Sequence, residues 1–234
     1  MFGYHDEIIT RYPAVRAGIV LVTDVDATTS PSSLHAGYIG EQEEVVARLE
    51  ALAIAEIPSI AAWRRVFADF GVKPTQYRNA AESLLRRLSK RGDIPTINPL
   101  VDLGNMVSIR HALPVAVIDR SGVAGAIEVR FAGGDEPFDD LGSEEITHPQ
   151  PAEVVFVDEA GVACARRWCW RQSVPSATTS STTEAIFVIE GHHDSAETDV
   201  RAAAQDAIAL LERHLPHSGA SLYQLSPRTP RVVD

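Results

Sequence analysis

Apolar positions recur at helical spacing through most of the first half of this chain and at strand spacing through the second. Residues 15–23 (VRAGIVLVT) form an apolar run of strand length, followed by a Thr-, Ser- and Pro-rich loop over 24–33. Over 41–57, Val45, Leu49 and Leu52 stand at i, i+4 and i+7, which predicts an amphipathic helix. Pro58 ends it, and Ser59 caps a second helix in which Trp63, Phe67 and Phe70 keep the spacing until Gly71. Pro74-Thr75 opens a third. Tyr77, Ala81, Leu84, Leu85 and Leu88 make its apolar face, Arg78, Arg86, Arg87, Lys90 and Arg91 surround it, and Gly92 stops it. A fourth starts at Asn98-Pro99 and runs to about Arg110, before Pro114. Asn is a favoured N-cap, and Pro at the first helical position sacrifices no hydrogen bond.

The second half reads differently. Residues 115–119 (VAVID), 126–131 (AIEVRF), 154–157, 162–170 and 185–190 (AIFVIE) are strand candidates, separated by Gly-rich turns and a polar loop over 133–151. Residues 194–215 predict a closing helix, with Val200, Ala204, Ala207 and Leu211 on one face and Asp194 and Glu197 at capping-box spacing. Helices first, strands later and one closing helix define an α+β protein rather than a doubly wound sheet. We expect one domain over 1–225, with sub-lobes at about 1–120 and 121–225, and a loose tail over 226–234 that carries two prolines.

Composition narrows the function. The chain has 234 residues, enough for a sizeable core without disulfides. Its 21 basic and 32 acidic residues give a net charge of −11, which disfavours non-specific nucleic-acid binding and gives no reason to expect a DNA partner. Cys164 and Cys169 cannot build a disulfide framework or a four-ligand zinc site. No apolar run reaches 18 residues and the first residues lack a basic leader, so a cytoplasmic protein without a membrane partner is expected.

Dinucleotide-binding, P-loop, zinc-protease and nucleophile-elbow motifs are absent from the sequence. His192-His193-Asp194 resembles a metal cluster, but adjacent residues diverge and no third ligand is suitably spaced; a surface turn is the preferred reading, with no metal or other cofactor expected. Arg166-Arg167-Trp168-Cys169-Trp170-Arg171, taken as one strand, puts Trp168 and Trp170 on one face and Arg167, Cys169 and Arg171 on the other. Such a strand either stacks a base or is a core strand with a solvated Arg face; spacing favours the second. Glu190, closing an apolar strand, either accepts a hydrogen bond from a ligand or is a solvated strand end. Asp102 and Asn105 share a helix face and either touch a ligand or tie the helix start to a loop. Arg86, Arg87, Lys90 and Arg91 form the one cationic cluster that could meet an RNA backbone.

The segment I-N-P-L-V-D-L-G-N-M-V, from Ile97 to Val107, followed by L-P-V-A-V-I-D, from Leu113 to Asp119, resembles the B3/B4 domain of the phenylalanyl-tRNA synthetase beta subunit. There the corresponding stretches read roughly I-N-x-V-V-D-V-T-N-Y-V and G-Q-P-L-H-A-F-D. Ile97, Asn98, Val101, Asp102, Asn105, Val107, Pro114 and Asp119 match in order and spacing. The upstream FGVKPTQYRNAAESLLRR and downstream RRWCWRQS are similar to free-standing B3/B4 proteins, and the resemblance spans about residues 60–192.

The resemblance implies a B3/B4-like fold, with N-terminal helices and a β-sandwich-like mixed sheet around a cleft. It also implies an activity: hydrolysis, in trans, of the ester of mischarged tRNA. A synthetase catalytic core is not visible, so the chain is not expected to charge tRNA. Glu190 matches the family glutamate that accepts a hydrogen bond from the side chain of the wrong amino acid. Such a polar acceptor discriminates strongly, because a ligand without the donor leaves it unpaired. On this reading Asn98, Asp102, Asn105, Ala116 and Trp170 contact the aminoacyl moiety, and Arg86, Arg87 and Arg171 meet phosphates of charged tRNA. Ala116 stands where the family has a histidine, and the G-L-x-T-x-A-S segment after the glutamate strand has no clear counterpart. The alternatives are a cleft that binds a free amino acid without turnover, and a protein-interaction module that kept only the scaffold.

Overall fold

The computed structural model describes residues 1–143 and 145–232. The chain opens on β1 (Phe2–Tyr4), α1 (Asp6–Arg11) and β2 (Arg16–Thr23), the apolar run seen in the sequence. Four helices follow: α2 (Ser32–Leu49), α3 (Pro58–Asp69), α4 (Ala80–Arg91) and α5 (Pro99–His111). Then come β3 (Val115–Asp119), β4 (Ile127–Phe131), β5 (Phe138–Asp139), β6 (Ile146–Thr147), β7 (Val154–Asp158), β8 (Ala163–Arg166), β9 (Arg171–Gln172) and β10 (Ala185–Gly191). Helix α6 (Ala196–His214) and β11 (Gly219–Leu225) complete the fold, which is α+β.

Two sheets carry it. One is antiparallel in the order β11-β2-β10-β3; the other runs β1-β4-β7-β8-β9, with β1 parallel to β4 and the rest antiparallel. Alternation along β10 sends Phe187 and Ile189 into a core shared with α2, α4, α5 and α6. Ile186 and Val188 face the opposite way, into a core shared with β4, β7 and Trp168. The four-stranded sheet thus lies between a helical layer and the second sheet, with α1 and α3 also contributing to the inter-sheet core. Each large apolar side chain buried in these layers contributes roughly 1.5–3 kcal/mol. At Gly18, an added Cβ would lie 2.9 Å from Ala204 Cβ, so a glycine is needed for α6 to approach β2 this closely.

The helix signals at Asn79, Gly92 and Asn98 work through their caps, whereas the expected Ser59 cap does not form: α3 starts at Pro58 and Ser59 Oγ donates to the Ala112 carbonyl. Asn98 Oδ1 accepts from Val101 N at 3.0 Å, and Asn79 Oδ1 from Glu82 N at 2.9 Å. Gly92 ends α4 in the left-handed conformation.

Several expectations are corrected. The helix expected over 41–57 starts at Ser32 and stops at Leu49, because Leu34, Tyr38, Val45 and Leu49 are its buried positions. Polar Glu41 and Gln42 lie on that buried side, held by Arg110 and by the backbone of Ile94. The third helix begins after Asn79, not at Pro74-Thr75. The strand expected over 162–170 ends at Arg166, because Arg167 and Trp168 both take positive φ, 45° and 62°. The face assignment made for Trp168, Trp170, Arg167 and Arg171 therefore does not hold. The capping box fails: α6 has no side-chain cap bond, and Ser195 Oγ instead donates to Asp199.

The expected tail is not loose over its described part. Tyr4 N donates to Pro230 O and Val232 N to Phe2 O, so residues 230–232 satisfy the backbone of edge strand β1. Residues 233 and 234 lie outside the described residues. The two halves of the sequence also interleave: β1 pairs with β4, and β10 lies between β2 and β3. Long-range strand pairing has overridden the division near residue 120.

Candidate functional site

Glu190 shares the face of β10 that carries Ile186 and Val188, so its side chain enters the inter-sheet core near one end of the strand. It is 2% exposed. Its Oε1 accepts two hydrogen bonds, from Tyr4 Oη at 2.5 Å and from Trp168 Nε1 at 2.8 Å. Trp63 Nε1 donates to the Glu190 carbonyl at 3.4 Å. Burial pushes the carboxyl up to about 7, against the two side-chain donors, which favour the charged form. A carboxyl poised there can accept or release a proton near neutrality. The same burial, followed by the charge of Glu190, raises the Tyr4 phenol well above its ordinary value.

The turn over 167–168 makes this arrangement possible. Two successive left-handed non-glycine residues are costly, and such strain persists only where surrounding packing fixes it. Here it turns Trp168 inward, fully buried beside Tyr12, Trp63 and His192.

His192 and His193 are buried, which corrects the expected surface turn. The His192 ring packs edge-on against Trp63 at 4.5 Å and Trp168 at 4.9 Å. Burial, then the neighbouring His193, lowers its pKa to about 3, so the ring is neutral. His193 Nε2 pairs with Asp199 Oδ2 at 2.8 Å. Among the described residues, no three His, Cys, Asp or Glu side chains gather as a metal site requires.

A cavity of about 70 Å³ is lined by Trp168 together with Ala116, Trp170, Arg171 and Gln172, and Glu190 does not line it. Three predicted residues, Ala116, Trp170 and Arg171, therefore meet there, and Trp168 links the cavity to Glu190. The small side chain of Ala116 leaves part of that space. Other predicted residues lie elsewhere. Besides capping α5, Asn98 donates to the Thr178 carbonyl at 3.0 Å. Asp102 is fully buried and accepts from Ile97 N at 3.0 Å; burial raises its carboxyl. Asn105 donates to Tyr38 Oη at 3.2 Å. These contacts tie α5 to its neighbouring loops and to α2.

The predicted phosphate contacts are paired within the protein. Arg86 donates to Glu82, Arg87 to Asp93 and Arg171 to Asp140. Tyr4, Trp63 and His192 escaped sequence reasoning as neighbours of Glu190. Tyr4 is 186 positions away on a three-residue strand, and no local pattern marks it.

Two sheets with helices over one face and an acid buried between the sheets make the chain an α+β protein. It belongs to the B3/4 domain family, whose model matches residues 62–216, about two thirds of the chain. It is similar to the phenylalanine–tRNA ligase beta subunit of Shewanella oneidensis, 29% identical over 108 residues, which are 46% of this chain and 14% of that protein. The chain thus spans a small part of that relative's length. Among solved structures it is similar to an N-terminal fragment of the phenylalanyl-tRNA synthetase beta subunit from Pyrococcus horikoshii. That match has a TM-score of 0.48 and 11% identity, covering 96% of this chain and 53% of the other.

Proposed function

We propose that this protein binds charged tRNA in the cytoplasm and hydrolyses an incorrect aminoacyl ester in trans. The observation that supports the reading most is the placement of Glu190: sealed from water, held by Tyr4 and Trp168, and titrating near neutrality. The aminoacyl group docks beside Ala116 and Trp170, which share a cavity wall with Trp168, the donor to Glu190. Glu190 then accepts a hydrogen bond from the side chain of the wrong amino acid or orients the attacking water. Excluding solvent strengthens either contact.

Release of amino acid from a panel of mischarged tRNAs tests this. Substitution Glu190→Ala is expected to change which amino acid is released, or to slow release by about a hundredfold. Release unchanged in both rate and preference would overturn the assignment.

One observation favours a second reading, a cleft for a free amino acid without tRNA. Arg86, Arg87 and Arg171 already hold acidic partners on a chain of net charge −11. A thermal shift with an amino acid, without salt-sensitive tRNA retention, selects it.

A further inference from the structure

Outside the Glu190 site, one cation stands apart. The Arg167 side chain is 13% exposed, yet its guanidinium donates no hydrogen bond to protein among the described residues. Its guanidinium nitrogens reach solvent, so their hydrogen-bonding capacity is open to a ligand.

The nearest acid does not supply the missing bonds. Glu153 Oε1 accepts from Arg166 Nε and Arg167 N, and Oε2 from Arg166 Nη2 and Gln150 N. Four donors use the roughly four acceptor positions of a carboxylate. The Arg167 guanidinium is left 3.8 Å from Oε2 with nothing to donate to. It is nevertheless held in place. It lies 3.9 Å from the Tyr77 ring centre and 4.5 Å from that of Trp170, in the corner of two rings that meet at 85°. Its backbone is left-handed, so the strained turn that sends Trp168 inward also sets the place of Arg167.

Arg167 lines a cavity of about 230 Å³, whose walls include Lys73, Gln76, Tyr77, Gln150 and Glu153. Lys73 is exposed and has no ion-pair partner among the described residues. Arg166 neutralises Glu153, so Arg167 and Lys73 leave two positive charges uncompensated. The volume falls below the roughly 300 Å³ at which pockets for whole drug-sized molecules begin, and suits one charged group of a larger ligand.

We propose that this pocket is a phosphoryl-binding site, in which the Arg167 fork takes two phosphate oxygens and Lys73 supplies the second charge. A planar guanidinium with free donors matches phosphate geometry, and two cations suit the dianion of a phosphate monoester, or two successive diester anions of an RNA strand, better than a single carboxylate. The source of the phosphoryl group is an RNA strand or free phosphate. Only the choice of RNA rests on the function proposed above; the site itself stands on Arg167, Lys73 and Glu153.

Phosphorus NMR of inorganic phosphate and of a 5′-phosphorylated CCA trinucleotide, each titrated with the full chain, tests the site. Both are expected to bind, and Arg167→Lys and Lys73→Ala each to weaken binding about tenfold. Arg201→Ala, an exposed arginine on α6 beside a different cavity, leaves binding unchanged. Phosphate binding without trinucleotide binding, lost in both variants, keeps the site and assigns it free phosphate. If Arg167→Lys does not fold, the exposed Lys73→Ala decides. Absence of binding by either probe, or binding that Lys73→Ala leaves intact, overturns the proposal. Deacylation is not measured, so a failure here is distinct from a failure of the editing reading.

Discussion

Tyr4 Oη donates to Glu190 Oε1 at 2.5 Å, joining the parallel edge strand of one sheet to a central strand of the other. Almost the whole sequence separates the two residues. The bond fixes where the carboxyl lies and brings the first strand of the chain into the site. Tyr4→Phe keeps the ring and removes the donor, leaving Trp168 as the side-chain donor to Glu190. An under-satisfied buried group costs about 1–3 kcal/mol, and that loss of unfolding free energy in urea is expected. The carboxyl is also expected to titrate higher, because the lost hydrogen bond had favoured its charged form.

Stability against pH carries opposing signatures of Glu190 and His192. Glu190 titrates near 7 when folded and near 4.5 when unfolded, so between those values the folded chain holds the extra proton. Its contribution is full below about 4.5 and is lost as pH rises through 7. His192 falls to about 3 from an ordinary 6.5, so its contribution is full above 6.5 and is lost as pH falls toward 3. The two slopes cancel between about 4.5 and 6.5. Glu190→Gln removes one of them. Relative to the wild type, its stability is expected to rise with pH across that window by about 1.4 kcal/mol per pH unit. Parallel profiles for the two proteins would contradict the Glu190 assignment.

Helix α5 and strand β10 were legible in the sequence because their signals are local: an Asn-Pro cap in one, a continuous apolar run closed by Glu190 in the other. The turn at Arg167 and Trp168 was not, because alternation predicts an extended strand and only tertiary packing forces left-handed backbone there. Glycines at 37 and 40 and the buried polar pair Glu41 and Gln42 hide the start of α2 from a periodicity argument. The Glu190 cluster draws on β1, α3 and the turn after β8. Its carboxylate was readable, but its donors were not.

Gly18 tests the packing of the helical layer. A methyl group there would meet Ala204 Cβ at 2.9 Å and Val200 Cγ1 at 3.3 Å; Ala204 Cβ is fixed to the α6 backbone, and β-branched Val200 has little rotamer freedom on a helix. Gly18→Ala is expected to destabilise the protein by about 1–3 kcal/mol through overpacking, read as a lower urea midpoint. The double variant Gly18→Ala/Ala204→Gly restores room at the closest contact and is expected to recover part of the loss. A single variant as stable as the wild type would mean that α6 shifts freely on β2.

Glu82 decides what the basic face of α4 is for. It is fully buried, and its Oε1 accepts from Arg64 Nη1 at 2.7 Å and Arg86 Nε at 2.8 Å, with Arg78 at 3.8 Å. One carboxylate thus organises three arginines from α3, α4 and the loop between them. Removing its charge leaves those guanidinium groups without their acid, though each is partly exposed and water recovers some of the lost solvation. Glu82→Gln is therefore expected to lose about 1–3 kcal/mol of unfolding free energy. It also frees positive charge on a surface that the structure uses for its own support. If that surface takes no part in RNA binding, the salt dependence of tRNA retention stays as in the wild type. A slope steeper by about one counterion in Glu82→Gln would instead make α4 a phosphate-binding face that its own glutamate holds in check.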